Sequence, residues 1–158
     1  MINQIMNKLT IEVHFLTQLE EIIAQEIAEN SVSCDLNHLD VSEMQDLSDA
    51  FKGSLFQGNV SSWQVNMIFD MRGLFADSSF AGDLSNWDIN PYIHVKGMLP
   101  KDFKGILPTF LKLPVKQRTL IYKDMFNDDA GFSKYLAKCT LSFWRIPTYH
   151  LYGLRKNN

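Results

Sequence analysis

The sequence predicts an α/β fold of α+β-like character: a short leucine-rich-repeat solenoid with a strand-helix cap before it and a helical cap after it. Three observations predict this. The pattern L-x-x-L-x-L occurs as Leu36-Leu39-Val41, Val60-Trp63-Val65 and Leu84-Trp87-Ile89, each copy 24 residues after the last. Residues 40–63 aligned on 64–87 share eight identities in 24 positions, among them Asp46/Asp70, Phe51/Phe75, Phe56/Phe80, Gly58/Gly82 and Trp63/Trp87. After each copy comes an apolar set at helical spacing: Met44-Leu47-Phe51, Ile68-Met71-Phe75 and Tyr92-Val95-Leu99. A fixed period in the twenties with a strand-like and then a helix-like motif is the signature of a repeat array.

Each element has a local reason. In Trp63-Gln64-Val65 apolar and polar residues alternate, as in a short strand with one buried face. Ser42, Asn66 and Asn90 follow as helix N-caps, Ser42 with Gln45 forming a capping box and Pro91 taking a first helical position. Phe56-x-Gly58 and Phe80-x-Gly82 then provide a buried ring and a turn, whereas Phe103-x-Gly105 falls one residue early and Pro100 interrupts that unit. No copy can bury its inner face alone, so copies must cover one another.

The flanks follow the same logic. Residues 9–15 alternate as a strand, and Thr17 with Glu20 opens a helix over about 18–29 with Leu19, Ile22, Ile23 and Ile27 on one stripe. Residues 106–114 are broken by prolines and read as an extended connector. Two helices are predicted beyond it, over about 115–126 and 130–143. The organisation is one domain of 158 residues: an N-terminal cap over 1–33, repeats over 34–105 and a mainly helical cap over 106–158.

The segments "FQGNVSSWQVNMIFDMRGLF" and "FAGDLSNWDINPYIHVKGML" resemble the bacterial BspA-type leucine-rich repeat, whose unit reads roughly F-x-G-D-I-S-x-W-D-V-S-x-V-x-x-M-x-x-M-F. The likeness covers about residues 34–99. It implies repeats that bind other proteins and a family with no shared catalytic residues.

Composition bounds the function. The chain is 46% apolar and 21% charged, suited to a globular core without metals or disulfides. Cys34 and Cys139 show no metal-type spacing and read as two buried thiols. Met1 to Leu9 lacks a signal peptide's apolar run, and no 18-residue apolar stretch exists, so a cytoplasmic location and no membrane contact are expected. The net charge of −3 hides a division: residues 1–95 carry three Lys and Arg against 14 Asp and Glu, residues 96–158 carry 12 against four.

No nucleophile–base pair, zinc spacing, calcium loop or phosphate-cradling glycine motif occurs, so no cofactor, no metal and no enzyme are expected. The candidate partner-binding face is the polar rows of the strands, His38, Ser62 and Asn86 beside Asp40, Gln64 and Asp88. The alternative surface is basic: Lys112, Lys116, Arg118, Lys123, Lys134 and Lys138. The reading is a non-enzymatic protein-binding module of intracellular bacterial or phage origin. It would block a partner with a basic surface, as an immunity protein, antitoxin or anti-defence inhibitor does. The alternatives are a nucleic-acid-binding protein using the basic segment, with Trp144, Tyr149 and Tyr152 for stacking, or a fragment of a bacterial surface adhesin. Oligomeric state is left open.

Overall fold

In the computed structural model, residues 10–90, 92–109, 113–127 and 129–141 are described. Strand β1 (Ile11–Glu12) leads into helix α1 (Leu16–Asn30), followed by strand β2 (Leu39–Asp40) and, much later, helices α2 (Val115–Met125) and α3 (Asp129–Leu141). β1 and β2 form a two-stranded parallel sheet, Ile11 opposite Leu39 and Glu12 opposite Asp40. One hydrophobic cluster takes in side chains from Val13 to Tyr135.

This overturns the predicted α/β leucine-rich-repeat solenoid. The described residues hold three helices and one two-stranded sheet, and none of these helices lies within the 24-residue copies. Among the described residues, the strand motifs of the second and third copies form no sheet strand; in their place stand isolated parallel bridges between copies, such as Asp46 to Asp70 and Asp70 to His94.

The backbone explains why the predicted helices fail. A helix sends every N–H to the carbonyl four residues back. Here Leu47, Asp49, Phe51 and Gly53 instead donate to the carbonyls of Asp70, Arg72, Leu74 and Ala76 in the next copy, at 2.8–2.9 Å. The residues between them turn back locally, Ala50 to Leu47 O and Lys52 to Asp49 O. The second copy does likewise: Met71, Gly73 and Phe75 donate to His94, Lys96 and Met98. Such alternation needs left-handed residues, and they recur at two repeat positions: φ is 57° at Asp49, 64° at Gly73 and 64° at Gly97, and 67° at Gly53 and 53° at Asp77. Asp and Asn add to the effect by capping their own chain two residues on. Asp46 Oδ1 accepts from Ser48 N, Asp70 Oδ1 from Arg72 N and Asn90 Oδ1 from Tyr92 N. Asn90 therefore closes a turn rather than capping a helix, and Ser42 N donates to Asp40 Oδ1.

Packing makes the copies cohere. The Trp63 and Trp87 rings stack 6.4 Å apart, and their Nε1–H groups donate to Leu36 O and Val60 O, each at 2.9 Å. A second column runs Phe56–Phe80–Phe103–Tyr135, with centroids 6.0–6.2 Å apart. Phe103 holds its place although the third unit is one residue short. Each fully buried ring contributes about 1.5–3 kcal/mol by leaving water.

The flanking elements follow the predicted positions with changed ends. α1 begins at Leu16 with Phe15 as N-cap and no side-chain cap bond, so the Thr17–Glu20 capping box is not formed; His14 N donates to Gln18 Oε1 instead. Leu19 and Ile23 are its buried residues. At the other end, Gly97 and Leu99 donate to the carbonyls of Asp124 and Met125 at the close of α2, the Asp124 carbonyl also accepting from Asn127 N. Cys34 is buried; the Cys139 side chain, Pro91 and the tail with Trp144, Tyr149 and Tyr152 lie outside the described residues.

Candidate functional site

The predicted polar face divides. His38 is buried, its ring nitrogens 3.2 Å from Asp35 O and 3.2 Å from Glu26 Oε1 of α1, so it is not an outward residue. Asp40 is half-buried, and the hydroxyl and N–H of Ser42 hold its carboxyl below the usual range. Ser62, Gln64, Asn86 and Asp88 are exposed. Between them Trp63, Val65, Trp87 and Ile89 are buried, so the four polar side chains stand on a packed base. Ser62 N is also fixed by Asn37 Oδ1 at 2.8 Å.

Three large apolar side chains were expected to point inward or went unassigned, and they stand in solvent beyond this row. Tyr92 is 86% exposed, Met67 50% and Phe69 45%. Helical spacing had counted Tyr92 as core; without a helix it falls outside. Asn90 fixes its backbone N–H at 3.0 Å.

The basic alternative surface is partly neutralised. Lys123 pairs with Asp129 at 3.1 Å and Lys134 with Asp102. Lys116 is exposed and Arg118 half-buried. Lys112 and the side chain of Lys138 lie outside the described residues.

A second feature was not foreseen. A groove of about 430 Å³ opens beside the column of left-handed residues Asp49, Gly73, Gly97 and Asn127. Lys52, Arg72, Lys96 and Lys101 line it, with Asp49 and Asp77. Lys52 lies 3.2 Å from Asp49. Arg72 forks onto Asp70, Nε at 2.9 Å and Nη2 at 2.5 Å, which lowers the Asp70 carboxyl and raises the guanidinium. Lys96 and Lys101 are exposed, and among the described residues neither has an ion-pair partner. The alignment of Asp49 with Gly73 and Gly97 at 24-residue spacing is the sequence signal that could have marked this column. Among the described residues no group of three or more His, Cys, Asp or Glu could hold a metal ion, and no helix is long and apolar enough to cross a membrane.

The family model described as "Mycoplasma protein of unknown function, DUF285" matches residues 17–139. The chain belongs to the DUF285 family. No curated protein and no solved structure matches it. The DUF285 match begins inside α1 and ends inside α3, so it takes in both flanks of the repeats as well as the copies themselves. Every residue of the exposed polar row and of the groove falls within the DUF285 region.

Proposed function

We propose that this DUF285 chain is a non-enzymatic protein-binding module that occupies and blocks a partner's surface, in the manner of an immunity protein, antitoxin or anti-defence inhibitor. The likeness of residues 34–99 to BspA-type repeats, a protein-binding family, supports the reading. The observation that carries it is the exposure of Met67, Phe69 and Tyr92, which follow the exposed Gln64 and Asp88 by three to five residues in the chain. Aromatic and methionine side chains beside polar groups are the composition of binding surfaces, where a few large anchors supply most of the energy. A rigid base keeps the entropy lost on binding small. The acidic first 95 residues favour encounter with a basic partner.

The test is a pull-down from host lysate at moderate salt, with nuclease, comparing the native chain with an Asp88→Lys/Tyr92→Ala variant. Both positions are exposed, so the fold is retained, which circular dichroism checks. One dominant protein held by the native chain and lost by the variant supports the reading. A partner retained equally by both, or recovery of nucleic acid alone, sinks it.

A further inference from the structure

We propose that the groove along Asp49, Gly73, Gly97 and Asn127 is a binding site for a small phosphorylated ligand, with Lys96 and Lys101 holding the phosphate. Residues 1–95 contain only three Lys and Arg, namely Lys8, Lys52 and Arg72, and two of them line this one groove. Lys96 and Lys101 join them from the third copy. Lys52 and Arg72, from the otherwise acidic residues 1–95, thus meet Lys96 and Lys101, from the basic remainder, in one groove.

The internal ion pairs decide what charge is left over. Asp49 offsets Lys52. Asp70, outside the groove, offsets Arg72 while using only Nε and Nη2, so Nη1 remains for another acceptor. Lys96 and Lys101 are uncompensated, against the single unpaired carboxylate of Asp77. Less Asp77, the two ammonium groups leave a surplus of one positive charge, and the free Nη1 of Arg72 adds donors without adding net charge. A phosphate monoester carries about −1.5 to −2 at neutral pH and three acceptor oxygens, enough to meet both ammonium groups and that guanidinium edge at once. Lysine serves as a point charge for such a group.

Shape sets the size class. A volume of about 430 Å³ suits a small molecule rather than a polymer, since ligand sites span roughly 300–1,000 Å³. Asn127, after the end of α2, closes the column at one end. The two central floor positions are glycines; Oδ1 of Asp49, paired with Lys52, lies over Gly73, and the space over Gly97 is bordered by Asn127. The glycine N–H groups are spent on Lys96 O and Asp124 O, which leaves recognition to the basic side chains. The site shares no residue with the exposed row proposed to bind protein, so the two readings stand or fall separately.

The probes are ribose 5-phosphate, unphosphorylated ribose and a 12-nucleotide single-stranded DNA, titrated against ¹⁵N-labelled protein at two salt concentrations. Ribose 5-phosphate is expected to shift the Gly73 and Gly97 amides saturably, with ribose inert. Lys96→Gln/Lys101→Gln is expected to raise its Kd at least tenfold while leaving the remaining spectrum intact, and Lys116→Gln to leave the Kd unchanged. Absence of a saturable shift overturns the proposal, as does binding that the double variant keeps. Tighter binding of the DNA, with loss tied to Lys116 rather than Lys96 and Lys101, also overturns it in favour of a nucleic-acid surface.

Discussion

Oδ1 of Asp49 occupies the space into which a β-carbon on Gly73 would project. The two are equivalent residues of adjacent copies, both with left-handed backbone, φ 57° and 64°. Gly73→Ala therefore meets two costs, an unfavourable φ and an overlap with the carboxylate, together about 1–3 kcal/mol. Gly97→Ala meets only the first, because the nearest atom to its β-carbon is Asn127 Cβ at 3.6 Å. Urea denaturation should rank Gly73→Ala below Gly97→Ala, and Asp49→Gly should remove most of the difference. Equal losses at the two glycines would refute the overlap.

The same column shows what could and could not be read from the chain. The 24-residue spacing and the buried residues Phe56, Phe80, Trp63 and Trp87 were legible, because burial depends on apolar side chains recurring in register. The ranges of the three flanking helices were legible to within a few residues. Helices inside the copies were inferred from i, i+3, i+7 spacing alone, and that spacing does not distinguish a helix from a turn-and-bridge path whose inward residues fall at similar intervals. The left-handed column at Asp49, Gly73 and Gly97 decides between them. His38 alternates correctly for an outward strand residue, yet Glu26 of α1 covers it, a contact across 12 residues that no local pattern reports. The groove was hidden for a similar reason: Arg72 and Lys96 share a repeat position, but Lys52 and Lys101 enter from others.

The aromatic columns should dominate stability. Phe80 is buried between Phe56 and Phe103 and lies 3.9 Å from Phe75, centroid to centroid. Phe80→Ala is expected to cost about 3–5 kcal/mol. Trp87→Phe keeps most of the ring volume but strips the donor from Val60 O, and should cost about 1–3 kcal/mol. Thermal and urea unfolding monitored by circular dichroism would check both. A loss below 1 kcal/mol for Phe80→Ala, on the scale of a surface substitution, would mean the column does not bear on folding.

Glu26 ties α1 to the first copy through a buried ring. Its Oε1 faces His38 Nε2 at 3.2 Å, and the His38 side chain is nearly inaccessible. Glu26→Ala leaves that nitrogen without its partner and is expected to destabilise the chain by about 1–3 kcal/mol. Glu29→Ala, on the exposed face of the same helix, should change stability by less than about 0.5 kcal/mol. Hydrogen exchange should show faster opening of α1 in the first variant than in the second. Equal protection in both would show that the pair does not anchor the helix.

Acid should weaken the copies through Asp70 and Asp40. The Arg72 guanidinium holds the Asp70 carboxyl below its ordinary range, and Ser42 does the same for Asp40. A depressed folded-state value means that the unfolded chain takes up its proton first as pH falls. The contribution is therefore present above about pH 3.9, the ordinary carboxyl value, and is lost as pH falls from there through the folded value. Arg72 is raised by the same contact but stays protonated in both states across this window, so it adds no slope. Asp70→Asn keeps an oxygen to accept from Arg72 N while removing the charge, which isolates the ionic part. Because Arg72 is largely exposed, the difference at pH 7 should be at most about 1 kcal/mol and should shrink in high salt. Stability of the native chain and the variant, measured from pH 7 to 2.5, should converge below pH 4. A difference that stays constant across that range would show that the Asp70 charge does not stabilise the folded copies.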